Sequence, residues 1–226
     1  MSAPGPIGRR ESPAGPRGSP IAGVGIGLRT CHIHEVLTRR PAVPWFELLA
    51  DNHLSDGGLV AAHVDAVSSL YPVTLHCVGM NVAGTDPLDS GYLRRVRGLR
   101  ERTAAGWVSD HLCFTAFHGR QYHDLLPFPY TEEALRHVSD RVLAIQDALG
   151  EVLVLENVSS YLRFAASPMT EAQFLCELAT ATDCGLLLDV NNLFVNHVNH
   201  GDDMDAYLQA LPLHKVREIH LAGHER

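Results

Sequence analysis

The sequence has no apolar run long enough to span a membrane. Its opening, MSAPGPIGRRESPAGPRGSP, lacks the apolar stretch of a secretory signal. Cysteine is sparse: five residues, at 31, 77, 113, 176 and 184, with no CxxC pair. That excludes a zinc ribbon and a thioredoxin-type motif. An odd, scattered set fits reduced thiols, so a cytoplasmic location is expected. Basic charge is also short, with 18 Lys and Arg against 26 Asp and Glu and a net charge of -8. A general nucleic-acid surface is therefore excluded. Lysine occurs once, at Lys215.

What is present is a hydrophobic content of 46% in 226 residues, enough core for one large α/β domain or two small ones. Residues 1–21 are rich in Pro, Gly and Ser and read as a disordered tail. The folded domain is taken as residues 22–226. Histidine is abundant, at 14 residues, and neutral imidazoles suit metal ligation.

The chain is organised around Gly185–Gly201, GLLLDVNNLFVNHVNHG. Leu186 to Leu188 fit a strand buried on both faces, which delivers Asp189 to its C-terminal mouth. Asn191 and Asn192 follow, and His197 and His200 fall on an expected loop. A carboxylate at a buried strand end calls for a positive partner, and a metal is one candidate. The competing reading is that Asp189 caps a turn and the histidines are solvated. For this stretch alone the two readings stand level.

Taken in order, the chain alternates strands and helices. Strands are expected at Ala22–Leu28, Trp45–Ala50, Val73–His76, Trp107–Leu112, Val152–Asn157, Leu186–Asp189 and Val216–Leu221. Helices are expected at Cys31–Arg39, Leu59–Leu70, Leu88–Ala105, Thr131–Leu149, Thr170–Thr182 and Asp203–Leu211, with Thr131 as an N-cap and Gly150 as a terminator. Cys113–Tyr130, rich in aromatics and prolines, reads as a long loop of the kind that lines sites. Regular βα alternation predicts a parallel sheet. His76, His111, Glu156, Asp189 and His220 all stand at C-terminal strand ends. That is where a (β/α)8 TIM barrel assembles its site, whereas an open doubly wound sheet concentrates ligands at one switch point.

Each of these residues has an ordinary explanation by itself: a hydrogen-bonded core histidine, or a glutamate paired with an arginine. Glu218 alternates with His220, so both can face one side of their strand. Converging carboxylates repel each other unless a cation lies between them. Nitrogen and oxygen ligands without a thiolate cluster suit iron, manganese or zinc better than calcium.

The stretches WFELLADN, LHCVG, SDHL, LLPFPYTEEAL, LLENVSSY, GLLLDVNN, NHG and EIHLAGH, in this order from about Gly23 to His224, resemble the MbnB/TglH-type family of multinuclear non-haem iron enzymes. The resemblance implies a TIM barrel of the xylose isomerase-like type. It also implies two or three irons, O2 as co-substrate, and modification of cysteine residues in a ribosomally synthesised peptide. A separate leader-binding partner protein presents that precursor peptide. His76, His111, Glu156, Asp189 and His220 then become iron ligands, with Glu156 and Asp189 as bridging candidates and Asn192 as a further ligand. Asn157, Asn191 and His224 become catalytic candidates that support the ligands or contact the substrate. Family members continue past HLAGH into an Asp-x-His segment, an eighth strand and a late Glu; here the sequence stops at Arg226. The barrel is therefore expected to lack its last βα unit. Two further classes remain open: a divalent-metal sugar isomerase or hydrolase on the same barrel, and an inactive truncated remnant.

Overall fold

The computed structural model describes residues 20–223. Most of the expected tail, residues 1–19, and the candidate His224 lie outside the described residues. Seven strands form one sheet: β1 (Ile26–Leu28), β2 (Phe46–Leu49), β3 (Val73–His76), β4 (Val108–His111), β7 (Leu153–Glu156), β8 (Gly185–Asp189) and β9 (Val216–His220). Every neighbouring pair is parallel. The spatial order follows the chain order, with no reversal, so the sheet winds in one direction and has no switch point.

Helices occupy the crossovers: α1 (Ile33–Arg39), α2 (Gly58–Leu70), α3 (Ser90–Thr103), α4 (Glu132–Leu149), α5 (Glu171–Thr182), and the pair α6 (Val190–His200) and α7 (Met204–Ala210). The helix boundaries have local causes. Thr131 and Thr170 cap α4 and α5 through their hydroxyls, Thr170 in a capping box with Gln173. Gly150 ends α4 at φ +74°, a left-handed turn that glycine adopts without steric cost.

The sheet is curled, and side chains from its two ends meet. His220 on β9 lies 2.9 Å from Glu47 on β2. The Trp107 indole, just before β4, donates to Glu218 on β9 over 2.7 Å. A flat sheet of this order would hold these strands far apart, since neighbouring strands are about 4.8 Å from one another. Among the described residues β1 and β9 do not pair with each other.

All four residues of β3, β4 and β7 are buried. They read as continuous buried runs because helices cover one face and the barrel interior the other. Leu75, Leu153 and Leu155 are fully buried, and each contributes about 2 kcal/mol. Gly25, just before β1, permits a close approach: a Cβ there would fall 2.3 Å from the Trp45 ring.

Two expectations are corrected. Cys113–Tyr130 is not simply a loop. It contains an antiparallel hairpin, β5 (Phe114–Phe117) and β6 (Arg120–Leu126), turning through His118 and Gly119 at positive φ. Asn81 and Asp86 bond its backbone amides. Arg141, buried on α4, holds the carbonyls of Asn81, Val82 and Asp86 in turn. The second correction concerns His197 and His200, which lie on helix α6 rather than on a loop. Asp189 caps that helix and Gly201 terminates it at φ +75°. His197 bonds the Asp202 carbonyl, and His200 bonds Ser160. Both imidazoles are spent on backbone at the end of the helix.

Candidate metal centre

The C-terminal strand ends converge. His76 Nε2 and His111 Nε2 each lie 3.3 Å from the same atom, Glu156 Oε2. The His76 and His111 rings sit edge to face with centroids 4.6 Å apart. On the other side, His220 Nδ1 lies 3.8 Å from Glu156 Oε1 and 3.9 Å from Asp189 Oδ2. His220 Nε2 faces Glu47 Oε2 at 2.9 Å and Glu218 Oε1 at 3.7 Å. Three overlapping groups could each hold a cation: His76, His111 and Glu156; Glu156, Asp189 and His220; Glu47, Glu218 and His220. Within each group one ligand atom per residue lies inside 4.8 Å of the others. Glu156 and His220 each belong to two groups.

All five strand-end residues expected from the sequence therefore meet at one place. Asn192 joins them: its amide donates to Glu156 Oε1 at 3.3 Å and to the Asn157 carbonyl at 3.0 Å. Asn157 is buried and bonds the Asp189 backbone in both directions, Nδ2 to O at 3.0 Å and N to Oδ1 at 2.8 Å. It adds a rung where the β7–β8 ladder ends and so fixes Asp189. Asn191 is half-buried in the first turn of α6 and makes no side-chain hydrogen bond to the cluster among the described residues. Asp189 Oδ1 accepts from the Asn192 amide at 2.7 Å as a helix cap, while Oδ2 faces His220.

The surroundings orient these ligands. Ser109 Oγ lies 2.8 Å from His76 Nδ1 and 3.4 Å from the Leu75 carbonyl. With the hydroxyl donating to Leu75, Oγ accepts from His76 Nδ1–H. That tautomer aims the bare Nε2 lone pair at the Glu156 carboxylate. Asp110 Oδ1 stands 3.5 Å from His111 Nδ1. Asp110 also accepts from the Met80 amide, and Asp51 accepts from the Val78 amide and the Tyr92 hydroxyl. These bonds hold the segment after β3 close to the site. Gly79 permits the approach, since a Cβ there would fall 2.8 Å from Tyr92 and 2.9 Å from Asp51.

The electrostatics differ across the cluster. Burial, aided by the neighbouring His111 and His220, holds His76 well below the ordinary imidazole range. For His111, burial is outweighed by the Asp110 and Glu156 carboxylates, and its pKa rises. His220 is also opposed by burial, yet Glu156, Glu218 and Glu47 push it up to about 12. Burial raises Glu47 against the pull of His220.

The donor set fits a transition metal. Glu156 Oε2 is buried with no hydrogen-bond partner, and so is His111 Nδ1. A nitrogen lone pair facing an unpartnered carboxylate oxygen is repulsive, and a cation between them makes the same geometry attractive. Imidazole and carboxylate ligands suit iron, manganese or zinc.

Sequence reasoning missed Glu47, Ser109 and the role of Trp107, and left the place of Glu218 open. Glu47 carried a signal: a carboxylate between Phe46 and Leu48 in an apolar strand must find a partner when it faces inward.

The family model for the RiPP precursor modification enzymes MbnB/TglH/ChrH matches residues 23–226. The chain belongs to this family. Members of similar sequence include a UPF0276 protein of Anaeromyxobacter sp. (strain Fw109-5), 49% identical over 90% of this chain and 72% of that one. A second, from Acaryochloris marina, is 46% identical over 91% and 74%. Among solved structures, the fold resembles 3-keto-D-glucoside 4-epimerase YcjR from E. coli, with a TM-score of 0.58 and 14% identity over 88% of this chain and 78% of that one. A xylose isomerase domain protein from Planctomyces limnophilus gives 0.52 at 14% identity, covering 92% and 74%. The MbnB/TglH/ChrH chain thus has the α/β, xylose isomerase-like TIM-barrel fold expected from its sequence.

Proposed function

We propose that this protein is a multinuclear iron, O2-dependent oxidase acting on cysteine in a ribosomally synthesised precursor peptide that a leader-binding partner protein presents. Family membership supports precursor modification. The observation that carries the metal reading is Glu156, whose buried, unpartnered Oε2 is shared by two imidazoles while Oε1 turns toward His220. His76, His111 and Glu156 would hold one ion. Asp189 and His220, with Glu156 shared and Asn192 beside it, would hold a second. Glu47, Glu218 and His220 offer a third place. Bound iron would supply redox chemistry with O2, which zinc lacks.

The chain's own residues prepare that chemistry. Ser109 fixes the His76 tautomer and Asn157 fixes Asp189, while the Asp110 carboxylate lies beside His111. Asn191 is proposed as a substrate contact at the mouth, and His224, outside the described residues, as a further contact by family resemblance. All five described cysteines are free, and no described helix is long and apolar enough to cross a membrane; we place the protein in the cytoplasm. A sugar isomerase remains the alternative on the same barrel. Its usual lysine has no counterpart here, since Lys215 pairs with Asp183 at the opposite strand ends.

The deciding experiment loads the protein with iron without oxygen, then adds O2, partner and cysteine-containing precursor. The expected result is a mass change confined to the cysteine, absent with zinc. Equal activity with zinc, or ketose isomerisation by the metal-loaded protein, would overturn the reading.

A further inference from the structure

Apart from the cluster, the fold holds a cavity of about 570 Å³. Its walls come from the segment after β7, the first turn of α5, and parts of α6 and α7. The segment, α5 and α6 begin at C-terminal strand ends, so the cavity lies on the same side of the barrel as the metal centre. Helix α6 ties the two together. Asn192 reaches Glu156, and one turn further Asn196 lines the cavity. Residues four apart on a helix are about 5–6 Å from each other at Cβ.

The lining has a definite chemistry. Phe128 and Tyr130, from the aromatic segment singled out in the sequence, form one wall with ring centroids 5.2 Å apart. Leu162 and Phe164 lie toward solvent, 59% and 39% exposed. At the base, Glu171 Oε1 accepts from the Tyr130 hydroxyl at 3.3 Å and the Val158 amide at 3.2 Å. Its Oε2 accepts from the Tyr207 hydroxyl at 3.2 Å. A carboxylate has about four acceptor positions, so one stays open on Oε2. Burial pushes Glu171 up to about 7, against the hydrogen bonds from Val158, Tyr207 and Tyr130. Asp202 and Asp203 add negative charge, and the one cation in the lining, Arg163, is paired with Asp202. Aromatic faces and an uncompensated carboxylate both attract cations.

We propose that this cavity is a specificity pocket for a basic side chain of the substrate peptide, with the cationic head at Glu171 and the alkyl stem against Leu162 and Phe164. The assignment of a peptide as substrate rests on the proposed function; the binding of a basic side chain does not require turnover.

The test titrates two capped tripeptides, Ac-Gly-Lys-Gly-NH2 and its norleucine counterpart, into the isotope-labelled full chain and follows resonances by NMR. The lysine peptide should shift Tyr130, Leu162 and Phe164 and bind at least about tenfold more tightly than the norleucine peptide. Glu171→Gln should remove that preference, and Glu156→Gln should leave it unchanged. Phe164→Ala, at a partly exposed position, keeps the test open if Glu171→Gln fails to fold, and it should weaken the lysine peptide severalfold. Equal binding of the two peptides, shifts elsewhere, or no saturable binding would overturn the inference. Because the readout needs neither metal nor O2, failure of the oxidase reading leaves it standing. A precursor modified regardless of its basic residues would count against the pocket alone.

Discussion

The two ends of the cluster are built from the same strand-end geometry and differ in charge. At one end His76 and His111 share a single carboxylate oxygen, deep among fully buried strands, and His76 is held well below its ordinary range by burial. At the other end a single imidazole, His220, faces Glu47, Glu156, Glu218 and Asp189, and its pKa is driven up to about 12. The first end pairs a proton-poor His76 with His111, whose charged form the Asp110 and Glu156 carboxylates favour. The second has carboxylates in excess and uses the imidazole as its counter-charge. A cation added to the first end would meet the bare nitrogen of His76; at the second it would have to displace the proton that His220 carries. Glu156 belongs to both ends, so filling one would be coupled to filling the other.

Removing the shared carboxylate should have the largest effect. In Glu156→Gln, the affinity for the tightest-bound ion should fall more than about tenfold and total bound metal should drop at both ends, since each loses a charged ligand. Metal analysis after anaerobic loading reads this directly. Loss confined to one end would break the coupling argument. Circular dichroism should stay near wild type, because the core leucines are untouched.

A smaller effect, at the buried end only, is expected from Ser109→Ala. Without the hydroxyl, His76 is free to carry its proton on Nε2, and supporting groups of this kind typically cost about tenfold or more in metal affinity. A titration that resolves the two ends should show the His220 end unchanged. If both ends weaken equally, Ser109 is structural rather than orienting.

The smallest change is expected from Trp107→Phe. The indole holds Glu218 Oε2, so its loss should loosen the acidic end by about threefold, the lower end of what one hydrogen bond contributes net. The buried end should be indifferent, and the melting temperature should move only slightly.

The comparison also explains what the sequence could and could not reveal. The buried end was legible: VTLH, WVSDHL and VLVLEN are apolar runs that stop at a His or a Glu, and the strand period places the ending. Glu47 was not, because a glutamate within FELL has the same local pattern whether it faces the barrel interior or a covering helix. Only the curl of the sheet, which brings β2 to β9, gives it His220 as partner. The hairpin within Cys113–Tyr130 was hidden for a related reason. β5 is short and β6 is mostly exposed, so alternation is weak, and the hairpin is anchored by Asn81 and Asp86 from elsewhere in the chain. Helix α6 was read as a loop because its Asn and His residues have low helical preference. The Asp189 cap and the Gly201 terminus override that preference.

The bond between Trp107 and Glu218 also gives the molecule an optical reporter. The chain has two tryptophans, and their rings stand edge to face at 6.3 Å. Trp107 is the one whose N–H is fixed to a carboxylate of the cluster. Any cation that draws on Glu218 alters the field along that indole and shifts its emission, and a paramagnetic ion nearby quenches it. In a Trp45→Phe background, fluorescence alone would follow the filling of the acidic end in real time, without label or substrate.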